Sequence, residues 1–360
     1  MKFQKVVIDL DYPPDLHCKA VGDLDGDGKP DLLVASASGG GAWWYHAPLW
    51  SKHLIAEGAF TTDMAVADID GDGLMDVVVP EKAGLFWYQN PLAEGKPIHT
   101  SPWKGHNISP LGAHMHDVEL ADLDGDGKID IVTRHQSGFG KRMGNQVYIW
   151  KQITPYQWDM RTFDCPHGEG LALADIDGDG RLDVVIGGKW YRNPRDILNS
   201  PWVEHNYISD AEIERGWTNG DFMVTCADID GDGQMDIVVS PSEGRGRLSW
   251  FDAPSDLESG QWTEHVLAET DHAHGLDAGD IDGDGQIEIA VAKMHQASPP
   301  QEVAVYDRVG SEWIKIVLAE SGSHAIRLLD LEGNGKLSVF GSNWSSKAPN
   351  GCPVELWKQI

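Results

Sequence analysis

The sequence predicts an all-β protein, a seven-bladed β-propeller of four-stranded blades, on three observations. An acidic loop of the form Asp-x-Asp-Gly-Asp-Gly-x-x-Asp recurs, beginning at Asp23, Asp68, Asp122, Asp175, Asp228 and Asp280, with a degenerate seventh copy at Asp330. Each loop sits inside the same series of short β-rich segments. The two chain ends carry strand-like segments that complement each other. The loops are spaced by 45, 54, 53, 53, 52 and 50 residues, which fits one blade with long connections. A chain of 360 residues would otherwise suggest two or three domains, but a closed repeat ring makes residues 1–360 one domain.

The elements follow in order within each unit. A short apolar strand such as Ala65-Val66-Ala67 enters the loop. A β-branched strand leaves it, as in Asp76-Val77-Val78-Val79, Asp183-Val184-Val185-Ile186 and Asp236-Ile237-Val238-Val239. The third strand is aromatic, as in Leu85-Phe86-Trp87-Tyr88 or Val147-Tyr148-Ile149-Trp150. The fourth opens on Trp with alternation behind it, at Trp50–Ile55, Trp262–Leu267 and Trp313–Leu318. Gly, Pro and Asp separate these runs, and no helical period emerges. Phe3–Ile8 reads as a fourth strand without a blade, and Val354–Lys358 as a third strand without a fourth. The N-terminal strand should therefore complete the last blade, pairing edges that would otherwise template aggregation.

The loops also account for the charge. Net charge is −29, and nearly half of the 57 Asp and Glu lie in the seven loops. That field excludes nucleic acid as a partner, since phosphate recognition needs a basic face. No apolar run is long enough to span a membrane. The start, Met1-Lys2-Phe3-Gln4-Lys5, has no apolar signal region after its charges, so the expectation is a cytoplasmic chain or a mature form. The expected state is a monomer. Cys18, Cys165, Cys226 and Cys352 show no paired spacing and are expected to be buried thiols.

Asp at loop positions one, three, five and nine gathers four hard oxygen donors, which suit Ca²⁺; glycines at four and six permit the tight path. Five full sites are expected: Asp23, Asp25, Asp27 and Asp31; Asp68, Asp70, Asp72 and Asp76; Asp122, Asp124, Asp126 and Asp130; Asp175, Asp177, Asp179 and Asp183; and Asp228, Asp230, Asp232 and Asp236. A sixth uses Asp280, Asp282 and Asp284 with the longer Glu288, and the seventh, Asp330, Glu332, Asn334 and Ser338, should be weak. The ions are expected to be structural, relieving repulsion among carboxylates held in one turn.

These loops resemble the FG-GAP/VCBS repeats of integrin-type propellers along the whole chain. The Trp-Tyr-x-Asn-Pro strand at Trp87–Pro91 and Trp190–Pro194 is similar to that of the propellers of rhamnose-glucuronate polysaccharide lyases and aldos-2-ulose dehydratase. That resemblance implies a carbohydrate substrate.

Hairpin geometry predicts where chemistry would gather. Residues equally far from the loop on its two flanks must meet at the opposite end of the hairpin. Six residues before the loops stand His17, Thr62, His116, Glu169, Phe222, His274 and His324. Thirteen to fifteen after stand Glu81 and Lys82, His135, Lys189 and Trp190, Glu243, and Lys293 with His295. His114, His167 and His272 lie just before their strands. One central mouth is therefore expected to collect imidazoles from distant parts of the chain. His53, His205 and His265, on fourth strands, are expected to be structural.

The favoured function is a carbon–oxygen lyase, β-eliminating an acidic uronic-acid glycoside. His116 and His135 would act as base and acid, with His114, His167 and His274 beside them. Arg134, Lys82, Lys189 and Lys293 would neutralise the substrate carboxylate, while Trp190, Trp217 and Trp344 would stack on sugar, and His295, His17 and His324 would line the site. One alternative is a sugar dehydratase with Ca²⁺ or a transition metal in the mouth, held by imidazoles such as His116, His135, His167 and His274. Others are a non-catalytic carbohydrate-binding or adhesion propeller and a protein-interaction scaffold. Neither a nucleophile elbow nor a nucleotide loop is present.

Overall fold

Valine, isoleucine and leucine runs without alternation mark strands buried on both faces, and the second strands of blades one to five carry such a run. In blade two, Val77 and Val79 face the cluster shared with blade one, while Val78 faces the cluster shared with blade three. Seven apolar clusters result, each between two neighbouring blades, and the last joins Leu16, Leu32 and Tyr45 to Phe340 and Leu356. Packing therefore closes into a ring. A computed structural model describes residues 1–111, 115–135, 145–218, 221–258, 260–310, 312–345, 347–348 and 351–360.

Seven antiparallel four-stranded sheets form the blades. Their first strands are Leu16–Gly22, Ala65–Ala67, Met115–Ala121, Ala172–Ala174, Phe222–Ala227, Gly275–Gly279 and Ala325–Leu329. The seventh blade takes its outer strand from the other end of the chain: Phe3–Asp9 pairs with Val354–Gln359, Phe3 opposite Gln359. The closure expected from the two orphan segments is thus realised. The one α-helix among the described residues, Asp210–Gly216, starts at a Ser209–Glu212 capping box.

The ninth loop residue explains why each hairpin and its neighbours stay in register. Asp31, Asp76, Asp130, Asp183 and Asp236 are buried. One oxygen of each accepts the N–H of loop residue two: Leu24, Ile69, Leu123, Ile176 or Ile229, at 2.9–3.2 Å. The other accepts the N–H that ends the third strand, from Ala47, Asn90, Gln152, Asn193 or Ala253, at 2.7–3.0 Å. Glu288 makes the first of these bonds in blade six, to Ile281.

The Asn of the Trp-Tyr-x-Asn-Pro strand carries the connection outward. Asn90 Nδ2 donates to the Leu24 carbonyl of blade one at 2.8 Å, and Asn193 Nδ2 to the Leu123 carbonyl of blade three at 2.8 Å. Gln152 performs the same task toward Ile69, and Arg308 toward Ile229. Blades are thereby stapled through buried amides as well as apolar contact.

Third and fourth strands are locked by Trp–His stacks. Trp44–His53, Trp87–His106, Trp190–His205 and Trp250–His265 are cross-strand partners with ring centroids 4.9, 4.4, 4.2 and 4.1 Å apart. The fourth-strand histidines thus have the structural role expected of them. Asn193→Ala would orphan the Leu123 and Leu182 carbonyls. A loss of about 1–3 kcal/mol is expected, against less than about 0.5 kcal/mol for Asn199→Ala in an exposed turn. Thermal unfolding of the two variants checks it; equal midpoints would remove the staple from this account.

Candidate functional site at the central mouth

The first strands begin around one end of the ring, and the sixth residue before each loop meets its counterparts there. His17 and His324 stack with centroids 5.0 Å apart, His324 and His274 at 3.9 Å, and His274 and His116 lie 5.9 Å apart. Thr62 Oγ1 donates to the His116 carbonyl. His116 Nε2 stands 2.9 Å from Glu169 Oε2, and His274 Nε2 stands 3.4 Å from Glu169 Oε1. Phe222 turns instead into the apolar cluster of blades four and five. Trp344, half-buried, sets its ring edge-on to His17 and near edge-on to His295, at 4.8 Å each.

Glu169 is held by its surroundings. Gly170 has φ +85°, and a Cβ there would fall 2.2 Å from the Phe222 carbonyl, so glycine is required. Its N–H donates to Asp117, and Arg134 donates to the carbonyls of Glu169 and Gly170 at 2.5 and 2.8 Å. Glu169 stands at the same repeat position as the histidines; weighing imidazoles alone passes over it.

Burial opposes charge throughout this cluster. At His116 it is outweighed by Glu169 and then Asp117, which lift the imidazole well above its usual range. Glu169, although buried, is held well below the usual carboxylate range by His116 and His274. Burial, then His274 and His17, pushes His324 well down. Burial, then Lys19, brings His17 down to about 3. Glu243, at the matching position after the loop of blade five, is pushed up to about 8 by burial and then by the Glu169 charge.

Several expected participants are placed otherwise. His135 pairs in register with Met115 and sets Nδ1 3.1 Å from Tyr148 Oη; the bulge between Met115 and Asp117 turns His116 toward Glu169. Arg134 is buried and donates to the carbonyls of Glu169, Gly170 and Pro166, so it joins blades three and four rather than awaiting a carboxylate. Lys189 pairs with Glu204, and Lys293 with Asp271 at 2.8 Å. Trp190 is wholly buried under His205, and Trp217 is buried against Phe222 with Arg247 over its ring. Neither offers a face to sugar. His167 lies 3.6 Å from Asp221, and Lys82 is exposed in a turn. His114 lies outside the described residues.

At the opposite ends of the hairpins, the acidic loops present the donor sets expected for divalent cations. Carboxylate oxygens of Asp68, Asp70 and Asp76, of Asp122, Asp124 and Asp130, and of Asp175, Asp177 and Asp183 lie within 4.8 Å of one another. Backbone N–H groups brace the first residue, as Gly26 and Gly28 do for Asp23. Blade one differs from expectation, because the fold brings His46 Nε2 to 2.8 Å from Asp25. Lys151 pairs with Asp124 and Asp126, and Arg192 with Asp177. The four cysteines are free; Cys18, Cys165 and Cys352 are buried as expected, and Cys226 is partly exposed.

Comparison with known proteins agrees with this geometry. An FG-GAP-like repeat matches residues 23–79 and 228–291. The chain carries FG-GAP-like repeats. It is 27% identical over 157 residues to integrin alpha-PS2 of Drosophila melanogaster, a match covering 38% of this chain and 11% of that protein. Among solved structures, a lectin of Agrocybe aegerita specific for non-reducing terminal N-acetylglucosamine is similar with a TM-score of 0.57 and 19% identity, over 91% of this chain and 89% of that one. The exotype rhamnogalacturonan lyase YesX is similar with a TM-score of 0.57 and 14% identity, over 99% and 76%. Both share the propeller fold.

The ninth-position acids give the loops a distinctive pH response. Burial, with neighbouring carboxylates, pushes Asp31, Asp76, Asp183, Asp236 and Glu288 up to about 7 and Asp130 to about 6. Unfolded, these groups titrate at about 4. The cation-free folded chain therefore binds more protons than the unfolded chain between those values, and its stability falls as pH rises through that window. In chelator, the unfolding midpoint should drop between about pH 5 and 7 and recover on adding a divalent cation. A midpoint that rises over that range in chelator would contradict these shifts.

Proposed function

We propose that this protein is a carbohydrate-active lyase that β-eliminates uronic-acid glycosides at the central mouth, with Ca²⁺ in the acidic loops stiffening the blades. The observation that carries the reading is the asymmetry of the mouth. Equivalent positions of six blades contribute His17, Thr62, His116, Glu169, His274 and His324 to one cluster, each blade differing from its neighbour or placed differently against it. A repeated lectin site would present the same residues in each blade. Similarity to a lyase and to a lectin supports carbohydrate as the partner class.

The chain's own groups divide the roles. Elimination needs a base for the C5 proton, an acid for the leaving oxygen and a cation at the carboxylate. His17 is a neutral imidazole with Nε2 lacking a hydrogen-bond partner among the described residues, beside the half-buried Trp344. A substrate carboxylate arriving there raises its basicity. Glu243 keeps its proton up to about 8 and can give it to the leaving oxygen. His17 takes the C5 proton, the C4–O bond breaks as the C4–C5 double bond forms, and Glu243 protonates the departing oxygen, which leaves as a hydroxyl. Trp344 supplies the sugar platform that Trp190 and Trp217 do not. The all-carboxylate donor sets of blades two, three and four favour Ca²⁺ over zinc in those loops.

Acidic oligosaccharides should yield an ultraviolet-absorbing unsaturated uronate. His17→Ala and Glu243→Gln should each lower kcat by about 10²- to 10⁴-fold with binding retained. The rate should fall as pH rises through about 8, and Glu243→Gln should remove that limb. Unaltered turnover in both variants, or several equivalent sugar sites by calorimetry without product, would favour the non-catalytic reading instead.

A further inference from the structure

We infer that His116, Glu169 and His274 bind one divalent transition-metal ion of the zinc class at the mouth. Three ligand atoms, one from each side chain, lie within 4.8 Å of one another, and all three residues are buried. The separations suit a small ion. Two ligands each about 2.1 Å from a tetrahedral ion lie about 3.4 Å apart; His274 Nε2 lies 3.4 Å from Glu169 Oε1, and His116 Nε2 lies 2.9 Å from Oε2, a contact that would widen on binding.

Hydrogen-bond direction makes the stronger case. His274 Nδ1 lies 2.9 Å from the His324 carbonyl, which only accepts, so Nδ1 carries the hydrogen. The neutral ring then turns the lone pair of Nε2 toward the Glu169 carboxylate. His116 is held the same way from behind, with Nδ1 3.3 Å from Asp117 Oδ1, and its Nε2 lies 2.9 Å from Glu169 Oε2. The His274 lone pair thus faces the carboxylate with no hydrogen between them, and at His116 an ion would take the place of the proton that Nε2 shares with Glu169 at 2.9 Å. A carboxylate or a carbonyl behind each ring is also how metal-ligating histidines are oriented. His274 Nε2 and the adjoining His324 Nδ1 have no hydrogen-bond partner among the described residues. The N₂O set separates this site from the all-carboxylate loops of blades two, three and four and favours zinc-like ions over Ca²⁺.

The ion would supply the positive charge that Arg134, Lys189 and Lys293 spend on internal partners, and in this respect the inference rests on the lyase reading. The probe is Co²⁺, added to protein whose loops are saturated with Ca²⁺. About one equivalent should bind with an intense tetrahedral visible band that Zn²⁺ abolishes. Glu169→Gln and His274→Ala should lose the band while keeping the Ca²⁺-dependent unfolding midpoint. Asp117→Asn should weaken binding about 10- to 100-fold, which decides the matter if the other variants fail to fold. No band in the parent protein, or an undiminished band in Glu169→Gln, overturns the site. Cobalt bound without elimination on any uronate keeps the site and removes the lyase. Full elimination by protein stripped of transition metal keeps the lyase and removes this role for the ion.

Discussion

The buried carboxylate at the ninth loop position is the constraint on which the ring depends. It is surrounded by apolar strands, yet its oxygens accept two backbone N–H groups, one from the loop and one from the third strand. An apolar residue there would leave both donors unpaired, at a cost of about 1–3 kcal/mol each. Asp is short enough to reach both from the start of the second strand. The same bond fixes the third strand's end, where Asn90, Gln152 and Asn193 reach the preceding blade. Loop chemistry, strand register and blade-to-blade contact are therefore one network.

This network also explains how a repetitive frame supports a site that does not repeat. Hydrogen bonds at the loop end fix where each first strand begins and ends. Its far end then arrives at the mouth whatever side chain it bears. The frame tolerates His17, Thr62, His116, Glu169, His274 and His324 at equivalent positions because their backbones are set elsewhere. Their electrostatics follow from crowding and burial: His116, beside Glu169 and Asp117, is driven up, while His274 and His324 are driven down.

Much was legible before any coordinates. Period, loop spelling and the two orphan strands specify seven blades and their closure, because local turn chemistry and strand alternation repeat within each unit. Counting back from each loop locates the residues of the mouth, because antiparallel pairing conserves distance from the turn. The same counting misjudged His135, Trp190 and Lys189. It places a residue along a strand but says nothing of the face it occupies, and a one-residue bulge at Met115 or a stack under His205 reverses that face.

The sequence by itself determined the architecture, the acidic loops and the end of the ring where imidazoles accumulate; loops and hairpins follow from interactions between residues close along the chain, and closure from complementary strands at its two ends. Only the tertiary structure decided partnership. Glu169 meets His116 and His274 across more than fifty residues of chain on either side, and Arg134 is spent on the carbonyls that hold Glu169 in place. Those contacts depend on how neighbouring blades pack side by side, which is set by the apolar clusters between them.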